Sequence, residues 1–265
     1  MAMKQKPKNN VELNKMRAAG RLAAEVLDFI TPYVKEGENT LKLNDLCHDF
    51  IIQHGATPAP LNYRGFPKSI CTSINDVVCH GIPSKDDVLK DGDILNIDVT
   101  VILDGFHGDT SRMFLIGNVS KEHQQLVQNT YEAMMVGINT VKSGGDIQNI
   151  GCAIEEFIKP KGYGIVEEYC GHGIGKTFHS DPMVVHYANN HPNYSMKLRK
   201  GHTFTVEPMI NMGTAGNELM DDEWTVRTLD RKFSAQFEHT VAVTENGVEI
   251  LTESPAGLHY PPYNL

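Results

Sequence analysis

Four acidic residues stand in strand-like sequence. Asp98 interrupts the apolar run Ile94-Leu95-Asn96-Ile97-Asp98-Val99, where Asp is a poor strand former and its presence needs a reason. Asp109 lies in a second β-rich run, 106–116, and Asp104-Gly105 stands between the two runs. Asp-Gly in that setting signals a two-residue hairpin. Leu103 then faces Phe106, Asp98 faces Ser111 and Asp109 faces Thr100. Strand alternation puts Asp98 and Asp109 on one face as diagonal neighbours, about 7–8 Å apart at the backbone. Carboxylates that close repel unless a cation lies between them. Glu207 closes the apolar run Phe204-Thr205-Val206-Glu207, held extended by Pro208. Glu238 stands just before Thr240-Val241-Ala242-Val243. His172, in Cys170-Gly171-His172-Gly173-Ile174-Gly175, has glycine neighbours that leave its ring uncrowded.

Four carboxylates and an imidazole make an oxygen-rich ligand set. Two divalent ions would balance the four charges, and Mn2+, Fe2+, Co2+ or Zn2+ suit such mixed donors. A two-metal site activates water near neutral pH and polarises a carbonyl, which is the chemistry of hydrolysis. Other catalytic patterns are missing. Gly175-Lys176-Thr177 lacks the first glycine of a phosphate-binding loop, since Cys170 occupies that place. The chain contains neither H-E-x-x-H nor G-x-S-x-G.

The elements that must hold these residues repeat. Apolar spacing predicts helices over 11–34 and 41–53, then a Pro/Gly-rich stretch at 57–67, a strand over 69–79 and the hairpin runs 93–101 and 106–116. Helices over 122–141 and 147–158 follow, with strands at 204–207 and 238–243. Val34-Lys35-Glu36-Gly37 resembles Val141-Lys142-Ser143-Gly144. The segment 89–98 aligns with 198–207, which lays Asp98 on Glu207. The segment 71–83 aligns with 170–182, which lays His80 on His179. Two similar halves, about 11–120 and 121–250, are therefore expected to form one catalytic domain spanning 11–265, preceded by a flexible tail at 1–10.

Composition limits the alternatives. The 265 residues carry a formal net charge of −9, which argues against nucleic acid as the main partner. No apolar run is long enough to span a bilayer, and the N-terminal residues lack the apolar segment of a secretory signal. Five cysteines, with no C-x-x-C, argue against a disulfide framework or a Cys-type zinc site and for reduced thiols in the cytoplasm.

The sequence resembles the methionine aminopeptidases of type I over about 11–250. The resemblance rests on Tyr63-Arg64-Gly65-Phe66-Pro67-Lys68-Ser69, Ser73-Ile74-Asn75 through His80-Gly81-Ile82-Pro83, Asn96-Ile97-Asp98-Val99 and Gly108-Asp109-Thr110-Ser111. Gly171-His172-Gly173-Ile174-Gly175, Thr205-Val206-Glu207-Pro208 and Gln236-Phe237-Glu238-His239-Thr240 extend it. It implies an α+β pita-bread fold, two pseudo-symmetric αβ halves around a curved antiparallel sheet. It implies metal ligation by Asp98, Asp109, His172, Glu207 and Glu238, with Asp109 and Glu238 bridging two divalent ions, and catalytic work for Glu207. His80 and His179 would face the scissile amide without ligating metal. The substrate methionine would sit among Tyr63, Phe66, Cys71, Phe178 and Trp224. The implied partners are the N-termini of nascent polypeptides, processed by a monomer that needs neither membrane nor nucleic acid.

The chain departs from the family pattern at two places. Arg64, at the pocket mouth, stands where bacterial members often carry His. The loop 214–222 contains no lysine, whereas bacterial members carry a lysine-rich loop linked to ribosome docking; a transient ribosome contact is weakened accordingly. The short span from Glu207 to Glu238 leaves no room for the helical insert of type II enzymes. The competing readings are a pita-bread peptidase that cleaves next to proline, and a non-catalytic binding protein of the same fold. All five ligand positions are intact, which disfavours the latter.

Overall fold

The computed structural model describes residues 3–263. Helix α1, Asn10–Ile30, opens with a capping box: the Asn9 side chain accepts from the Glu12 N–H, and the Glu12 carboxylate accepts from the Asn9 N–H. It ends earlier than its apolar period predicts, because Pro32 cannot continue it and Thr31–Tyr33 tightens into a 3-10 turn. Helix α2 spans Thr40–Gln53, α3 Lys121–Ile138 and α4 Gln148–Ile158.

The strands Ile94–Leu103 and Phe106–Leu115 form the expected hairpin, with Asp98 opposite Ser111 and Thr100 opposite Asp109. Asp104 and Gly105 both take positive φ, 51° and 77°, as a type I′ turn requires. This hairpin is the centre of a nine-stranded sheet. On one side Cys71–Ile74 pairs with Ile94–Leu103 and sets Cys71 opposite Asp98. On the other, Phe106–Leu115 pairs with Glu238–Val243 and sets Ser111 opposite Glu238. Glu238–Val243 pairs in turn with Thr203–Val206, His239 opposite Val206. That antiparallel register brings Glu207, one residue past its strand, level with Glu238. Gly171–Gly173 and Ser180–Val184 complete this side.

Each half has its own core. The first packs Ala23, Leu27 and Ile30 of α1 and Leu43 and Ile51 of α2 against Leu95, Ile97 and Val99. The second packs Leu126 and Met134 of α3 and Ile150 and Ile154 of α4 against Phe204, Val206 and Val241. The helices cover one face of each half-sheet, which leaves the opposite face for the acids. Two αβ halves joined through one antiparallel sheet agree with the internal repeat.

Two expectations need correction. The strand expected over 69–79 is broken at Asn75, where φ is 55°, and its second piece, Val77–Cys79, pairs with Val226–Thr228 in a separate small sheet. The tail expected to be flexible over 1–10 is docked rather than free over residues 3–9, residues 1 and 2 lying outside the described residues. The Gln5 side-chain amide donates to the Thr203 carbonyl at 2.7 Å and accepts from the Thr203 N–H at 2.9 Å. Met3 is buried, and the Lys8 N–H donates to the Gly201 carbonyl. Residues 3–9 therefore line the sheet edge beside the Gly171–Val184 hairpin.

Candidate active site

Asp98, Asp109, His172, Glu207 and Glu238 converge on one cavity of about 360 Å³, and every aromatic, cysteine and histidine singled out from the sequence lines the same cavity. Ligand atoms of Asp109, His172 and Glu238 lie within 4.8 Å of one another. His172 Nε2 is 3.5 Å from Asp109 Oδ2 and 3.6 Å from Glu207 Oε1. Glycine at 173 is needed because a β-carbon there would collide with the Asp181 carbonyl oxygen, which the hairpin brings against it.

Supporting groups hold the acids in place. The Thr100 hydroxyl donates to Asp109 Oδ1 at 2.7 Å. The Thr205 hydroxyl donates to Glu207 Oε1 at 2.6 Å and accepts the His172 N–H at 2.9 Å, joining two candidate ligands. Gln236 Nε2 donates to Glu207 Oε2, and the Glu207 N–H donates to the buried His186 Nε2. Sequence reading gave these groups no supporting role. Thr100 and Thr205 were findable, since each lies two residues from an acid and alternation puts both on one face. Gln236 carries the same spacing, two residues before Glu238, and His186 has no such local signal.

The electrostatics are those of an acid cluster without a compensating cation. Burial, then the charges of Asp109 and Glu207, push the Asp98 carboxyl well above the usual range. Glu238 rises for the same reasons, burial first, then Asp109, Glu207 and Asp98. Burial lifts Glu207 to about 7, although His172 and the Thr205 hydroxyl pull it back. Burial depresses His172, but its hydrogen bond to Asp109 and the charges of Glu207 and Asp109 outweigh that and leave it raised. Asp98 Oδ1 is buried with no hydrogen-bond partner among the described residues, a costly state for a carboxylate. No lysine or arginine pairs with any of these acids among the described residues. Clustered carboxylates, one imidazole and an orphaned buried oxygen fit divalent cations.

This cluster has a linkage consequence. Glu207 has an ordinary pKa of 4.5 and a folded value of about 7. In the metal-stripped protein the folded chain keeps a proton that the unfolded chain releases. Stability from this residue therefore falls as pH rises from about 4.5 to about 7. His80, His179, His186 and His239, all with lowered pKa, act in the opposite sense, so the useful comparison is with a variant that shares them. Glu207→Gln should gain stability relative to the parent as pH climbs through that window, read as melting temperature without metal. A difference that stays constant with pH would contradict the assignment.

The same cavity is also lined by apolar and aromatic side chains. Tyr63 and Phe178 lie 4.9 Å apart, and Phe66 meets Trp224 edge-on at 5.1 Å. Phe66 and Cys71 are buried, and Trp224 is half-buried at the rim. His80 and His179 stand between the acids and this pocket. His80 is held at a positive φ of 56°, uncommon for a non-glycine residue, and its ring meets Tyr169 edge-on. Burial lowers it to about 4. His179 Nδ1 lies 2.9 Å from the Tyr63 hydroxyl, which leaves Nε2 for the cavity. Burial and the nearby His172 charge lower it to about 3. Both rings are thus neutral at physiological pH.

An acid cluster suited to divalent ions, beside an apolar aromatic pocket, defines a metal-dependent hydrolase. Residues 14–245 match the model of metallopeptidase family M24. The methionine aminopeptidase of Rickettsia prowazekii is 57% identical over 250 residues, covering 94% of this chain and 95% of that protein. A crystal structure of the Rickettsia prowazekii methionine aminopeptidase superposes with a TM-score of 0.90 at 55% identity, over 93% of this chain and 99% of that one. The Xaa-Pro dipeptidase of Bacillus anthracis, at 22% identity and a TM-score of 0.75, covers 94% of this chain and 62% of its own, and shares the fold alone. The chain belongs to metallopeptidase family M24 and, within it, to the methionine aminopeptidases, with their pita-bread fold.

Proposed function

We propose that the protein removes the N-terminal methionine of newly made polypeptides, using two divalent ions held by Asp98, Asp109, His172, Glu207 and Glu238. The observation that supports this best is the lining of one cavity by both the acid cluster and the aromatic pocket, with the His179 ring 4.2 Å from His172 and 4.0 Å from Phe178. Bound there, the ions supply Lewis-acid polarisation of the scissile carbonyl and water acidic enough to attack near neutral pH. The native ion is one of Mn2+, Fe2+, Co2+ and Zn2+.

The chain's own groups do the rest. The methionine side chain enters between Tyr63, Phe66, Cys71, Phe178 and Trp224, where aromatic faces favour a polarizable thioether. Glu207, which lines the cavity with Oε1 3.6 Å from His172 Nε2, takes the proton of the attacking water and passes it to the departing amide nitrogen. His179 Nε2 donates to the oxygen that becomes negative as water adds to the carbonyl carbon. His80 holds the scissile amide from the neighbouring side. The peptide bond breaks to give methionine and a polypeptide with a new amino terminus.

We read the enzyme as a cytoplasmic monomer. No helix among the described residues is long and apolar enough to cross a membrane. The loop expected to weaken ribosome contact is a hairpin, Asn217–Leu219 against Val226–Thr228, whose Glu218 pairs with Arg231.

The test compares peptides. Met-Ala-Ser should be cleaved and Ala-Pro-Ser left intact. Leu-Ala-Ser should be at least roughly tenfold poorer in kcat/KM, the scale of a misplaced branch in a closed apolar pocket. Equal turnover of Leu and Met peptides would show that the pocket is assigned wrongly.

A further inference from the structure

The cavity mouth carries a cation that the reading above does not use. Arg64 lines the cavity and is exposed at its rim. Among the described residues its guanidinium makes no ion pair within 4.0 Å and no hydrogen bond; it lies 5.4 Å from the ring centroid of Tyr63. The backbone holds it in place. Asn62, Arg64 and Gly65 have φ of 65°, 50° and 94°, and the turn is tied by Asn62 N–H to the Phe66 carbonyl at 2.8 Å and Phe66 N–H to the Tyr63 carbonyl at 3.0 Å. A non-glycine residue in the left-handed region is strained, and such strain gathers at functional sites. The loop is also joined to the site by the Tyr63–His179 contact.

Glu168 also lines the cavity and is exposed, and it is already engaged: its Oε2 accepts from Asn217 Nδ2 at 2.7 Å and from the Glu167 N–H. The mouth therefore holds a guanidinium with no partner and a carboxylate that neutral donors fix in place but leave charged. A polypeptide whose first residue fills the pocket must leave between them. Its second residue is small in the reading above. The third is the first position free to carry a charged side chain, about 7 Å along an extended chain, within reach of a guanidinium anchored at residue 64.

We propose that Arg64 determines specificity at the third residue of the substrate, favouring an acidic side chain there and disfavouring a basic one. The proposal rests on the aminopeptidase reading and adds a position to it. A carboxylate matches the planar donor fork of arginine, and the water-exposed rim limits the gain to the range of a surface ion pair.

The experiment measures kcat/KM of the metal-loaded enzyme on three C-terminally amidated peptides, Met-Ala-Asp-Ser, Met-Ala-Ser-Ser and Met-Ala-Lys-Ser. The parent should prefer the Asp over the Lys peptide by roughly fivefold, attraction and repulsion each contributing, and the ratio should narrow in high salt. Arg64→Gln, which removes the charge, keeps an unbranched polar side chain and makes the same backbone demand, should bring the ratio near one. Arg64→Lys should keep most of it. A melting temperature for each variant guards against misfolding. A parent ratio of one, a ratio that survives Arg64→Gln, or an equal loss on all three peptides would overturn the proposal; the last outcome would put the contact on the substrate backbone. Failure to cleave any of the three would refute the aminopeptidase reading, and the proposal with it.

Discussion

Replacing Asp109 by Asn should abolish hydrolysis and empty the metal site together. The Asp109 side chain sits centrally: Oδ1 accepts the Thr100 hydroxyl at 2.7 Å, Oδ2 lies 3.5 Å from His172 Nε2, and its ligand atoms fall within 4.8 Å of those of Glu238. In the proposed dinuclear site it serves both ions. An amide removes the charge and turns one acceptor into a donor aimed at Thr100 or His172. The loss should exceed the roughly 10–100-fold that follows removal of a ligand's supporting hydrogen bond. Turnover of Met-Ala-Ser and metal content by elemental analysis check this. The fold should survive, because the substitution also removes a charge that pushes Asp98 and Glu238 upward. A variant with parental metal content and turnover would refute a ligand role for Asp109.

The second large effect separates chemistry from metal binding. His179→Ala should lower kcat by roughly 10²–10³, the cost of losing one donor to a developing oxyanion, while metal content stays at the parental level. His172→Ala should lose metal, and activity with it. The two rings are 4.2 Å apart at their centroids, so a shared packing defect would blur the contrast; melting temperatures of both variants identify such a defect. Loss of metal from His179→Ala would make that residue a ligand and overturn the division of roles.

The acid constellation was legible because it depends on local rules. Asp104-Gly105 sets the hairpin, the hairpin sets Asp98 opposite Ser111 and Thr100 opposite Asp109, and the register is the one alternation demands. The repeat, which laid Asp98 on Glu207 and His80 on His179, corresponds to two cores and two half-sheets. Less was legible where contacts join residues far apart in the chain. Gln5 reaches the strand edge at Thr203, and no periodicity near residue 5 announces it. His186 receives the Glu207 N–H through a contact between separate elements. The left-handed backbone at Asn62 and Arg64 was hidden for a different reason: Asn tolerates that region but Arg does not favour it. Asn75-Asp76 are turn formers, and they carried a signal for the break in the 69–79 run that apolar content on either side outweighed.

The central claim, metal-dependent release of an N-terminal methionine, is tested most directly by one measurement: free methionine released from Met-Ala-Ser by the chelator-stripped protein, before and after Mn2+ or Co2+ is returned. The stripped protein should release no methionine, and release should recover when the metal is restored. Full activity without metal, or none with it, would contradict the account.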